Sequence, residues 1–143
     1  MRTLLAVLFT LALAAPAAAV DPAIEDGSAR TELNAAIERW FVYDVDDYRF
    51  RQSIGCFCPQ TVTEPRTLRV RNGKPVRRRK YHKPYDTVIK LFGVIDQAIK
   101  DEVDELNVTY GKVGLPRSIY IDRSRMIADE ELGLTNTRLR RLK

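Results

Sequence analysis

Histidine and cysteine are scarce in this 143-residue chain: His82 stands alone, and Cys56 and Cys58 are the only thiols. A metal centre of three or four ligands would have to recruit all three, and nothing in their spacing brings His82 to the cysteines. Ser53, Ser118 and Ser124 stand in no nucleophile elbow, and no Gly-rich phosphate loop is present. Asp122, Asp129, Glu130 and Glu131 lack the alternating ligands and central Gly of a calcium loop, so they read as turn caps and solvated positions. With no catalytic constellation, neither an enzymatic activity nor a cofactor is expected.

Long hydrophobic runs are also missing, except at the start. Arg2 precedes an apolar stretch from Leu4 to Ala15, Pro16 breaks it, and Ala17-Ala18-Ala19 follow. That run is short of the roughly 20 apolar residues a membrane span needs. Its charged start and small-residue end are those of a secretory signal cleaved near Ala19. The expected product is exported, periplasmic or extracellular, without a transmembrane segment. Removing 19 of 143 residues leaves 124, enough for one domain, and losing Arg2 lowers the net charge from +5 to +4.

That small net charge conceals segregation. Arg66 to Tyr85 holds nine Lys or Arg and no acid, whereas "DVDD", "DEVDE" and "ADEE" gather acids elsewhere.

Residues 20–30 show no periodicity and read as a flexible lead-in to a single domain over 31–143. Thr31 to Tyr43 reads as a helix capped by Thr31, with a stripe of Leu33, Ile37, Trp40 and Phe41. The period then falls to two: Tyr48, Phe50 and Ile54 alternate with Arg49, Arg51 and Ser53. "RTLRVRNGKPVRRRKY" predicts a hairpin. A three-residue loop, Arg71-Asn72-Gly73, is expected there, because it alone puts Val76 on the face of Leu68 and Val70. Pro75 confines the returning strand to pairing on one side.

Asp86-Thr87 caps a second helix with a stripe of Val88, Leu91, Phe92, Ile95, Ala98, Ile99 and Val103. "LNVTY", "RSIYID" and a segment near Glu131 to Leu139 supply further strands. The order predicts an α+β fold: an antiparallel sheet of five or six strands with two helices on one face.

Certain of these residues also form an ordered pattern: Trp40, Tyr48-x-Phe50, Cys56-x-Cys58-Pro59, Asn72-Gly73-Lys74, Leu91-Phe92, Tyr110, Gly114-x-Pro116, Ile119-x-Ile121-Asp122 and Ile127 to Glu131. The chain thereby resembles the small exported bacterial family catalogued as domain of unknown function 6174, over about Trp40 to Thr137. The resemblance implies an exported or lipid-anchored domain with no established activity. Gly111 stands where that pattern has Asp and Leu115 where it has an aromatic. The run Arg77 to Arg79 is outside the pattern and particular to this chain.

Two features are left as candidate sites. On a regular strand, Cα atoms at i and i+2 are about 6.6 Å apart with parallel Cβ vectors, so a Cys56–Cys58 disulfide needs a kink between Gly55 and Pro59. An oxidising compartment favours that bond as a local clip. A thiol-disulfide function or a soft-metal site on the same pair is the alternative. The other feature is the basic hairpin: Arg69, Arg71, Arg77, Arg78, Arg79 and Lys80 are the candidate anion-binding residues. An edge strand guarded by charge gives the same pattern. The favoured expectation is an exported, non-enzymatic module that binds an anionic envelope component through this hairpin, with another exported protein as the other partner class. Export argues against nucleic acid.

Overall fold

The computed structural model describes residues 19–77 and 79–143; the expected leader, apart from Ala19, and Arg78 lie outside them. The chain begins with a short helix α1 (Pro22–Glu25), then α2 (Ser28–Tyr43), β1 (Tyr48–Gly55) and a helical turn α3 (Gln60–Thr63). Next come β2 (Arg66–Arg71), β3 (Lys74–Pro75) and a 3-10 turn (Lys83–Tyr85). The last elements are α4 (Val88–Lys100), β4 (Glu105–Tyr110), β5 (Pro116–Asp122) and β6 (Leu132–Arg141). All strand pairs are antiparallel, in the order β3-β2-β1-β6-β5-β4. The fold is α+β.

Strand parity sorts the residues between two faces. Tyr48, Phe50 and Ile54 on β1, Leu68 and Val70 on β2, Ile119 and Ile121 on β5, and Leu134 on β6 are buried. They join one core with Leu33, Ala36 and Trp40 of α2 and the α4 stripe from Val88 to Ile99. Both long helices therefore cover the same face. Thr87 caps α4 by accepting the Lys90 N–H at 3.2 Å. The Tyr48 hydroxyl accepts the Val88 N–H at 3.0 Å, tying the first turn of α4 to β1. Burial pushes that phenol up to about 12.

Three local expectations give way. Residues 22–25 are helical, and α2 begins at Ser28 with Gly27, not Thr31, at its cap. Asp21 explains the order in what reads as a lead-in: one carboxylate oxygen accepts Ala23 N–H and the other accepts Leu106 N–H, each at 2.8 Å. Phe41 is 66% exposed and leaves the α2 stripe. At about 100° per residue, Trp40 and Ala36 lie to one side of Leu33, while Phe41 is roughly 80° to the other.

The hairpin register also differs. Arg71 pairs with Lys74 and Val70 with Pro75, so the loop is the two-residue Asn72-Gly73. Both have positive φ, 48° and 69°. That combination matches the right-handed twist of the flanking strands. Asp47 accepts the Asn72 N–H at 2.7 Å and the Asp46 carbonyl accepts the Gly73 N–H at 3.1 Å, which holds the turn in place. Val76 consequently faces outward and is 53% exposed. Burial of one valine just past a two-residue edge strand is too small a gain to override the turn.

Gly114, in the β4–β5 connection, sits close against the backbone of α2. Its φ is 90°, and a Cβ there would lie 2.1 Å from the Ala36 carbonyl oxygen of α2.

Candidate functional site

The uncovered face of the sheet is set by the same parity. Where Tyr48, Phe50, Gln52 and Ile54 turn inward on β1, Arg49, Arg51 and Ser53 turn outward. Strand pairing places Arg69 of β2 and Arg140 of β6 opposite Arg49, so three arginines stand side by side on three adjacent strands. Arg51 stands between Thr67 and Thr137. The β1–β6 register shifts between Arg49 and Arg51, where β6 carries an extra residue. Arg138 occupies this bulge with φ 54°. None of these five arginines has an ion-pair partner among the described residues.

The side chains frame shallow clefts. One of about 300 Å³ is lined by Arg49, Arg51, Thr67, Arg138 and Arg140. Its neighbour, about 310 Å³, shares Arg51 and Arg138 and adds Ser53, Thr135 and Thr137. Among the described residues, no acidic side chain lines either.

The hairpin residues divide. Arg69, Arg77 and Arg79 line a third cleft of about 380 Å³, beside Thr67. Arg71 is drawn away: it pairs with Asp47 at 2.6 Å and also donates to the Lys143 carbonyl. The Asn72 N–H and Arg71 hold the Asp47 carboxyl below its ordinary range. Lys80 is exposed, with its ammonium 5.5 Å from the centre of the Tyr81 ring.

Arg49, Arg51, Arg138 and Arg140 escape a reading of charge runs, because each is an isolated cation in a strand pattern. The outward parity of Arg49 and Arg51 is legible in the sequence. Their union with Arg138 and Arg140 needs the β1–β6 pairing.

His82 is not on this face. It is buried, with Nδ1 2.8 Å from Gln52 Oε1. The Gln52 amide donates to Asn136 Oδ1 and to the Tyr85 carbonyl, each at 2.9 Å. Asn136 in turn donates to the Pro116 carbonyl at 2.8 Å. A carboxamide oxygen only accepts, so His82 Nδ1 carries the proton. Burial, then the Arg79 and Arg66 charges, lower the imidazole pKa below its ordinary value. Asp86 beneath the same loop is buried; Lys90 binds its Oδ1 at 2.6 Å, and Oδ2 has no partner among the described residues. The network fastens the loop between β3 and α4 to the sheet centre. Its signal was parity: Gln52 falls in the inward series of β1.

Cys56 and Cys58 follow β1 directly. The Cys58 N–H donates to the Cys56 carbonyl at 2.7 Å, a three-residue turn that shortens the Cα separation to 5.2 Å. This is the kink that extended geometry lacks, and it brings the two sulfurs together. Phe57, at its tip, is 91% exposed. Among the described residues no group of three His, Cys, Asp or Glu could hold a metal ion. No helix among them is long and apolar enough to cross a membrane. Asp122 caps a turn by accepting the Ser124 N–H at 3.0 Å.

No curated protein and no solved structure matches this chain. The model of the family of unknown function DUF6174 matches residues 32–141, and the chain belongs to that family.

Proposed function

We propose that this protein is an exported, non-enzymatic binding module that captures an anionic envelope component on the open face of its sheet. The observation that supports it is the row Arg69–Arg49–Arg140 on neighbouring strands, without acid partners among the described residues. Like charges directly opposite one another on a sheet oppose folding. Edge protection accounts for cations on β3, but β1 and β6 are the two central strands and have no free edge to guard. A guanidinium offers paired donors that match phosphate and carboxylate oxygens. The binding centre therefore shifts from the hairpin alone to β2, β1 and β6, with Arg77 and Arg79 at its margin. Export rests on the leader read from residues 1–19. Cys56 and Cys58 serve this reading as a disulfide clip on the turn after β1.

Retention on immobilised phosphate tests the site. Arg51→Ser with Arg138→Ser removes the two arginines shared by the central clefts. Arg30→Ser with Arg125→Ser removes equal charge elsewhere. Loss of two charge-assisted contacts should weaken binding on the order of ten- to a hundredfold in the first variant. Equal weakening in both would leave only a general effect of net charge.

A further inference from the structure

The three clefts on the open face are continuous with one another and with a fourth at the end of the sheet. The one beside β3 shares Thr67 with the central cleft, which shares Arg51 and Arg138 with its neighbour. Thr137 and Arg138 then line a fourth, of about 450 Å³, at the end of the sheet, where it reaches Lys112 and Arg117 of the β4–β5 connection and is also lined by Tyr43 of α2 and the inward-facing Leu115, Asn136 and Leu139. These shared residues make one groove running across the strands, and among the described residues no acidic side chain lines it. Between β2 and β5 it crosses three strand spacings, about 14 Å, before its two ends are added.

We infer that the groove takes a linear, phosphate-bearing polyanion laid across the strands, with one end against Arg77 and Arg79 and the other against Lys112 and Arg117. This rests on the anion-binding reading and says which kind of anion is bound. A compact anion fills one cleft and leaves the cations of the other three uncompensated. A chain with regularly spaced charge meets all four. The outward positions between the arginines are Thr67, Thr135, Thr137 and Ser53, whose hydroxyls can donate to phosphate oxygens. No outward position of β1, β2 or β6 is aromatic; the aromatic rings near the groove, Tyr43 and Tyr120, stand only toward its β5 end. Single-stranded nucleic acid stacks successive bases on aromatic rings, and the middle of this groove offers none. Those positions also carry no large apolar side chain that could enter a bilayer.

The full chain is titrated with orthophosphate, tripolyphosphate and long-chain polyphosphate at matched phosphate concentration. Affinity per phosphate should rise with chain length. The logarithm of affinity should fall more steeply with salt for the long chain, by about 0.7 for each added phosphate contact. Arg77→Ser with Arg79→Ser, and separately Lys112→Ser with Arg117→Ser, should each weaken long-chain binding at least fivefold, and by more than they weaken tripolyphosphate binding. All four residues are exposed, and unaltered circular dichroism confirms the fold. Equal affinity per phosphate at every length, or end variants that hold the long chain as well as the parent, overturns the inference. The anion-binding reading then still stands if Arg51 and Arg138 are needed for tripolyphosphate. Tighter binding to phosphatidylglycerol vesicles than to long-chain polyphosphate also overturns it, in favour of a bilayer surface.

Discussion

Arg49 stands between Arg69 and Arg140 on adjoining strands, so replacing it with threonine should stabilise the fold while weakening the site. Two guanidinium charges held at the strand spacing of about 5 Å in a water-like dielectric repel by roughly 0.8 kcal/mol, and salt near 0.1 M cuts that to about 0.5 kcal/mol. Arg49 belongs to two such pairs. Arg49→Thr should therefore add about 1 kcal/mol, a rise in Tm of about 3 °C for a domain of this size. Threonine suits the position, because Thr67, Thr135 and Thr137 already occupy the same face. Urea denaturation of parent, Arg49→Thr and Arg49→Lys, each at low and at high salt, isolates the charge effect. The threonine variant should gain most at low salt and lose the gain near 1 M, while the lysine variant, which keeps the charge, should stay near the parent. The same threonine variant should bind polyphosphate more weakly. A threonine variant that is less stable at low salt, or whose gain ignores salt, would refute the idea that this row strains the sheet.

Gly114→Ala should destabilise the protein by about 3 kcal/mol or more, because a Cβ there meets the α2 backbone 2.1 Å away and the φ is 90°; a loss below about 1 kcal/mol in denaturation would show that α2 yields easily. Stability should fall as pH drops below the ordinary imidazole value of 6.5. The unfolded chain takes up a proton there, whereas folded His82, with its lowered pKa, resists until lower pH. Asp26, Asp47 and Asp96 have lowered carboxyl pKa values, so their contribution is present above 3.8 and disappears only below it, in a separate window. A urea midpoint that stays flat from pH 7.5 to 5.5, or one that falls equally in His82→Asn, contradicts the assignment to His82. Alkylation before and after reduction, read by mass, should label Cys56 and Cys58 only after reduction. Cys56→Ser with Cys58→Ser should cost at most about 1.6 kcal/mol, since the closed loop is only three residues. Labelling of the untreated protein excludes the clip.

Local patterns carried much of the fold. The α4 stripe, the β1 alternation and the cap at Thr87 are all statements about neighbours within a few residues, and side-chain period encodes such neighbours directly. The same holds for the outward parity of Arg49 and Arg51. Edges of elements were less legible: Asp21 orders residues 20–30 through a bond to Leu106, a partner 85 residues away. The hairpin misled for a related reason. Its register depends on Asp46 and Asp47, outside the hairpin, and on strand twist, so Val76 was a poor guide.

By itself the sequence determined the α+β class, the two amphipathic helices, which strand residues turn together and the membership of the chain in its family. Only the tertiary structure decided that β6 returns to lie beside β1, which sets Arg138 and Arg140 next to Arg49 and Arg51 and joins separate cations into one groove. Periodicity is a property of a single segment, whereas strand order comes from burying the whole apolar face under both helices at once. No single segment contains that information.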